Sequence, residues 1–123
     1  MEFYIKQNAT DPILKLRLID DGKNDKSSFN DILETATITF EMFDIITNEY
    51  QILGASCQLV NRTKKFGQIT DELYIIYRFT TTQTSTKGRF EGTVNITFED
   101  GNVLIVPIKE KLFINIILYS QIN

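Results

Sequence analysis

GRFEGTVNITFEDGNVLIVPIKEKLFINII, residues 88–117, is the stretch whose reading decides the fold. Phe90, Gly92, Val94, Ile96 and Phe98 alternate with Arg89, Glu91, Thr93, Asn95 and Thr97. Successive side chains of a strand point to opposite faces, so this period of two predicts a strand with one buried face. Asp100-Gly101 follows, a dipeptide that accommodates the positive φ of a two-residue hairpin turn, and predicts that the chain doubles back there. The return runs through 102–106, is interrupted at Pro107, and resumes with Leu112, Ile114 and Ile116 on one parity. The rest of the chain must supply partners for these strands.

Working back from that stretch, Leu73, Ile75, Tyr77 and Phe79 alternate with Tyr74, Ile76 and Arg78. Large apolar groups on both parities predict either a central position or a face covered by a neighbour. Residues 36–46 place Ile38, Phe40 and Met42 on one face, turn at 47–49, and return through 50–60 as the second arm of a hairpin, with Gly54 marking a bulge. Leu14, Leu16 and Leu18 alternate with Lys15 and Arg17 behind the Asp11-Pro12 break, and Phe3 with Ile5 makes a short first strand. Residues 20–34 are polar and predict a long loop with at most one helical turn, anchored by Phe29, Ile32 and Leu33. The Thr-rich segment 80–87 reads as an ordinary loop. Seven to nine short strands without a helix-period segment predict an all-β fold, an antiparallel β-sandwich occupying 1–123 as a single domain. A closed barrel is the alternative, because strand count does not separate two packed sheets from one rolled sheet.

Chemistry is harder to find. The 123 residues contain no histidine, which removes the commonest general base, the Ser-His and Cys-His nucleophilic pairs and the usual zinc ligand. Carboxylates such as Glu41, Glu91 and Glu99 sit at solvent parity or in loops, and no spacing pairs two of them across a cleft. The expectation is a protein that is not an enzyme and carries no cofactor. Asp20, Asp21, Asn24 and Asp25 have the oxygen content of a calcium loop without its alternate spacing and distal glutamate, so a solvated acidic turn is expected and no metal. Cys57 shares parity with Ala55 and Leu59 and reads as core.

A net charge of −3, from 13 basic and 16 acidic residues scattered along the chain, announces neither a nucleic-acid nor a membrane surface. No apolar run reaches bilayer length, and the acidic MEFYIKQNATDP start lacks a signal-peptide core, so export by a standard signal is not expected. The glycosylation triplets at Asn8, Asn61 and Asn95 then read as accidents of an Asn- and Thr-rich chain. Arg62, Lys64, Lys65 and Phe66 place three cations beside an aromatic, which on an acidic chain reads as a hairpin tip and not as a phosphate site. Loops carry contacts more often than framework strands do. The expected contact segments are therefore 20–31, 61–67 and 80–87, with Arg62, Lys64, Lys65, Phe66, Thr82 and Thr84 as the candidate partner contacts. Pro107 with Lys109, Glu110 and Lys111 reads as a device that blunts a sheet edge.

Three segments carry a family resemblance. Residues 7–20 (QNATDPILKLRLID) open with a polar turn, a Pro and an alternating Leu strand closed by Asp; 33–42 (LETATITFEM) enter a strand from a Leu-x-x-Ala turn. Tyr77, Gly88, Phe90, Thr97-Phe98, Asp100-Gly101, Pro107 and Leu112-x-Ile114-x-Ile116 then follow in order. In this the chain resembles the N-terminal immunoglobulin-like domain of phage baseplate upper proteins. It departs in having Asn8-Ala9-Thr10 where a Gly-Asp-Thr type turn is usual, and a longer, more basic 61–71. The resemblance implies an immunoglobulin-like sandwich and a bacteriophage virion structural protein, a docking or adaptor module of the tail or baseplate. It implies other phage structural proteins as partners, a homo-oligomer within the particle, and a protein made in the host cytoplasm and carried in the virion. The alternatives are a capsid decoration or head-fibre-anchoring protein and, from another class, a carbohydrate-binding adhesin module.

Overall fold

The computed structural model describes residues 1–18, 33–63 and 71–118. The described residues include nine strands: β1 (Glu2–Lys6), β2 (Leu14–Leu18), β3 (Thr37–Asp44), β4 (Glu49–Ser56), β5 (Gln58–Thr63), β6 (Asp71–Tyr77), β7 (Gly88–Thr97), β8 (Val103–Val106) and β9 (Leu112–Ile117). They form a larger sheet in the order β1-β9-β7-β3-β4, with β8 also on β7, and a smaller sheet β2-β6-β5. Apolar residues of one parity from each sheet face one core. Ile38, Phe40, Met42, Phe90, Val94, Ile96 and Ile114 come from the larger sheet, Leu14, Leu16, Leu73, Ile75 and Tyr77 from the smaller. Two sheets packed face to face over a shared core make a β-sandwich, so the barrel is excluded.

An aromatic cluster joins the sheets. The Phe40 ring of β3 lies 4.8 Å from the Tyr77 ring of β6 and 5.8 Å from Phe79, which meets Tyr77 edge-on at 5.2 Å. These are separations at which aromatic quadrupoles attract in tilted and edge-to-face geometry. Phe3 of β1 stacks on Phe79 at 5.8 Å and ties the first strand to the same cluster. The central strand read from both-face hydrophobicity is β6, flanked by β2 and β5.

Long β7 organises the larger sheet. One of its edges pairs with β3 from Thr37↔Thr97 to Asp44↔Phe90, antiparallel. The other edge is shared: β9 takes Gly88 to Gly92, and β8 takes Val94 to Thr97. Residues 107–111 leave the ladder between them, so the interruption foreseen at Pro107 splits one closing strand into two collinear halves. The turn before β8 is longer than the dipeptide suggests. Gly101 N–H donates to the Phe98 carbonyl and Phe98 N–H to the Asn102 carbonyl, both at 2.9 Å, with Gly101 at φ 91°. This is a three-residue turn whose last residue needs positive φ, a place that favours glycine.

Two expectations change. Residues 50–60 are not one hairpin arm. β4 pairs with β3 as far as Thr39↔Ser56, Cys57 still donates its N–H to the Ile38 carbonyl at 3.0 Å, and from Gln58 the chain pairs with β6 in the opposite sheet. Gly54 does sit at a register shift, at φ 69°, and the added twist of a bulged strand carries the chain across. Nor is the fold wholly antiparallel, because β1 pairs with β9 in parallel from Glu2↔Phe113 to Lys6↔Ile117. Parallel neighbours need a long crossover, and here the whole domain between the first and last strands supplies it.

The Thr-rich segment is a built corner and not an ordinary loop. Thr80 Oγ1 accepts the Gln83 N–H at 3.2 Å while Gln83 Oε1 accepts the Thr80 N–H at 3.0 Å, a reciprocal capping box around one helical turn. Gln83 Oε1 also accepts the Tyr77 hydroxyl at 2.8 Å. Thr84 is 0 % exposed, and its hydroxyl donates to the Ala9 carbonyl at 2.8 Å, pinning the β1–β2 connection. Thr84→Val keeps the shape and removes the donor, leaving a carbonyl without its partner. Unfolding free energy in urea is expected to fall by about 1–3 kcal/mol, and a change below about 0.5 kcal/mol means the hydroxyl carries no such role.

Candidate docking surface

The sheet parity that buries Phe40 and Val94 turns Glu41, Phe43, Glu91, Thr93 and Asn95 outward, where the β3–β7 register sets them side by side, and places Arg89 beside Asn115 of β9. β1 and β9 extend this outer face with Glu2, Tyr4, Lys6, Phe113 and Asn115. Its polar groups are largely satisfied within the sheet. Asn95 Nδ2 donates to Glu41 at 2.8 Å, Lys111 lies 3.7 Å from Glu91, and the Arg89 guanidinium sits 4.0 Å from the Phe113 ring centre and 3.0 Å from the Glu2 carboxylate. Asn115 Nδ2 donates to the same carboxylate at 2.9 Å. That hydrogen bond first, and then the Arg89 charge, hold the Glu2 carboxyl below its ordinary value.

Apolar groups concentrate at the rims. Tyr4 on β1, Val103 and Ile105 on β8, Ile108 beyond it, and Ile46 and Leu53 on the β3–β4 hairpin are all exposed, Ile46 at 84 % and Ile108 at 75 %. A strand edge also presents unpaired backbone donors and acceptors, so these rims combine the two ingredients of strand-edge docking. The three rims differ in how open they are. β4 shifts register twice against β3, which twists it away from a flat template. β8 has four residues and stops before Pro107. β1 has five residues in unbroken register with β9.

Two recesses accompany the surface. One of about 170 Å³ on the outer face is lined by Glu41, Phe43, Tyr50, Glu91 and Thr93, with the Phe43 and Tyr50 rings meeting at 5.0 Å. The other, of about 340 Å³, lies at the end of the smaller sheet between Ile13, Ser56, Gln58, Ile76, Tyr77 and Arg78. Among the described residues no three His, Cys, Asp or Glu side chains come together as a metal site. Cys57 is half-buried, and burial pushes its thiol up from 9.0 to about 11. A thiol so raised is a poor nucleophile near neutrality, so alkylation by iodoacetamide at pH 8 is expected to be at least about tenfold slower in the native protein than in urea. Equal rates would contradict the burial. Because the folded value exceeds the unfolded one, the stabilisation is fully present below pH 9 and is lost as pH rises through about 11.

Of the residues singled out from sequence, Thr82 is exposed in the corner turn. Thr84 is corrected from a contact to a framework residue, since its side chain has no surface and its hydroxyl is bound inside. Arg62 stands opposite Glu72 in the β5–β6 ladder. The Arg62 side chain, Lys64, Lys65, Phe66 and the acidic 20–31 segment lie outside the described residues. Loop reasoning passed over Glu2, Tyr4 and Lys6. Their signal is the EFYIK pattern itself, in which Phe3 and Ile5 face in while the exposed parity carries opposite charges at its two ends. No protein-family model matches the chain, and neither a curated protein nor a solved structure matches it.

Proposed function

We propose that the chain is an immunoglobulin-like docking module and a structural component of a bacteriophage particle, acting by contact and not by catalysis. The strand order carries the reading. With β1 to β7 taken as A, B, C, C′, D, E and F, and β8 with β9 as one interrupted G, the sheets become B-E-D and A-G-F-C-C′. Under that assignment the order is consistent with an immunoglobulin division of strands, with C′ added to the GFC sheet and A moved to the edge beside G, and this supports the reading. The virion setting is supported by the resemblance of 7–20, 33–42 and 77–116 to the baseplate upper protein domain. Exposed aliphatic and aromatic residues on the rims of a rigid sheet suit attachment to other virion proteins, where particle symmetry multiplies weak contacts. A tail or baseplate adaptor stands ahead of a capsid decoration or head-fibre anchor.

The test is sedimentation of particles from an infected culture on a density gradient, with the chain detected by mass spectrometry and located by electron microscopy. The reading expects the chain to travel with assembled tails or particles at a symmetry-related copy number. Recovery only as free protein would overturn it. The recess beside Tyr50 and Phe43, with Glu41 and Glu91 at its rim, favours a second reading as a carbohydrate-binding module, because an exposed ring beside carboxylates suits one sugar ring. Glycan binding by the isolated chain that Tyr50→Ala abolishes selects that reading instead.

A further inference from the structure

The free edge of β1 has a geometry that matches itself. Phe113 N–H donates to the Met1 carbonyl at 2.9 Å, and Gln7 N–H donates to the Ile117 carbonyl at 2.8 Å. Odd residues of β1 therefore turn their backbone groups toward β9. Neighbouring residues of a strand turn theirs to opposite edges, so Glu2, Tyr4 and Lys6 present N–H and C=O groups to the open side. The Lys6 carbonyl is occupied by the Ala9 N–H at 3.0 Å. Among the described residues, the remaining open-edge groups are both groups of Glu2, both groups of Tyr4 and the Lys6 N–H.

We infer that this edge binds the β1 edge of a second copy of the chain, antiparallel about a two-fold axis at Tyr4, continuing the larger sheet across a homodimer. In that register Tyr4 exchanges both backbone hydrogen bonds with Tyr4 of the second copy, and each Lys6 N–H reaches the Glu2 carbonyl of the other. The four bonds use only groups left open among the described residues of the single chain. The side chains agree with the backbone. Glu2, Tyr4 and Lys6 share the outer face, so antiparallel pairing sets each Glu2 carboxylate opposite a Lys6 ammonium, at both ends of the strand. Parallel in-register pairing would instead place Glu2 on Glu2 and Lys6 on Lys6. Charge therefore selects the two-fold arrangement, and opposite charges at the two ends of one strand complement themselves, which points to a second copy as the occupant.

The charges are placed for this. Glu2 is held by Arg89 and Asn115, and a carboxylate offers about four acceptor positions, so an ammonium can join without displacing either. Lys6 has no ion-pair partner among the described residues. Tyr4 is 57 % exposed and supplies the apolar centre of the contact. On the inner face Phe3, half-buried against Phe79, would gain Ile5 of the second copy as a cross-strand neighbour. The inference deepens the docking reading by naming one partner, and rests on it only for the particle setting.

Sedimentation velocity of the purified chain, from micromolar concentrations to about 1 mM, reads the result. The expectation is a concentration-dependent species of twice the 14.2 kDa chain mass. Tyr4→Pro removes the two central donors, and because that N–H faces the open edge it leaves the β1–β9 ladder intact, so a folded monomer is expected. Lys6→Glu opposes like charges at both ends and is expected to weaken association about tenfold or more, while Glu2→Lys with Lys6→Glu together recover part of the loss. Circular dichroism of each variant checks that the fold persists. A chain monomeric throughout, or a dimer indifferent to both Tyr4→Pro and Lys6→Glu, overturns the inference. So does loss of particle association in Tyr4→Pro without any dimer in the parent, which assigns the edge to another protein's strand. A monomer that still sediments with particles removes the dimer and leaves the docking reading standing.

Discussion

Phe40→Ala is expected to lower the unfolding free energy by about 3–5 kcal/mol. Phe40 is 0 % exposed, and its ring is β3's contribution to the aromatic cluster, touching Tyr77 and Phe79. Truncation removes the transfer free energy of the ring and leaves a cavity walled by groups from two different sheets. Those walls belong to separate hydrogen-bonded ladders and cannot close the gap without shifting a sheet. Because a domain of this size has a total stability of about 5–15 kcal/mol, the loss removes a large part of it and lowers the urea midpoint accordingly. Urea titration followed by tyrosine fluorescence and far-ultraviolet circular dichroism reads the change. A loss below about 1.5 kcal/mol means that Phe40 does not bridge the sheets as described.

Gly92→Val is the second large effect, acting from the opposite direction. Gly92 lies in the middle of β7 facing the core, where a Cβ would come within 3.1 Å of Leu112 Cδ2, 3.1 Å of Phe40 Cε1 and 3.3 Å of Ile114 Cγ1. The glycine is needed for this close approach. Valine adds three carbons to a space the Phe40 ring already occupies, and is expected to cost about 3 kcal/mol or more. Alanine adds one, against side-chain ends that can yield by a few tenths of an ångström, and costs less. The two sites share one volume, so their effects cannot add. Phe40→Leu combined with Gly92→Ala is expected to be more stable than the sum of the single changes by about 0.5 kcal/mol or more. Strict additivity would show that Gly92 and Phe40 do not meet.

Gly92 also marks how far the sequence can be read. Its place in the alternation of Phe90, Val94 and Ile96 puts it on the buried face, and that much is a matter of parity. That it makes room for a ring from β3 depends on the antiparallel register Met42↔Gly92 and Phe40↔Val94, which no local pattern contains. The same division holds at 50–60. The alternation continues through Ser56, Cys57 and Gln58 without a break, because a strand that changes sheets keeps its inward parity while exchanging its hydrogen-bond partners. Thr84 was hidden for another reason. Threonine is polar enough to be read as solvated, and only the nearby Ala9 carbonyl, 75 residues away in sequence, gives its hydroxyl a buried acceptor. The T-x-x-Q spacing of Thr80 and Gln83 was the available signal, and it marks a capped turn.

The docking surface follows the same logic. Segments 61–67 and 80–87 have the polar composition of contact loops, yet Thr84 of the second is fully buried, and the outer rim of the larger sheet has no loop signature at all. β1 becomes an edge because β9 pairs with it in parallel, an arrangement set when both ends of the chain reach the same sheet. By itself the sequence determined the all-β class, the inward parity of most strands, the break at Pro107 and the glycine turn at Gly101, since each depends on side-chain alternation or on the φ that a residue can adopt. Only the tertiary structure decided which strands lie side by side, where the chain crosses between sheets and which edges stay open. Those depend on hydrogen bonds between backbones far apart in sequence, and backbone groups are the same at every residue.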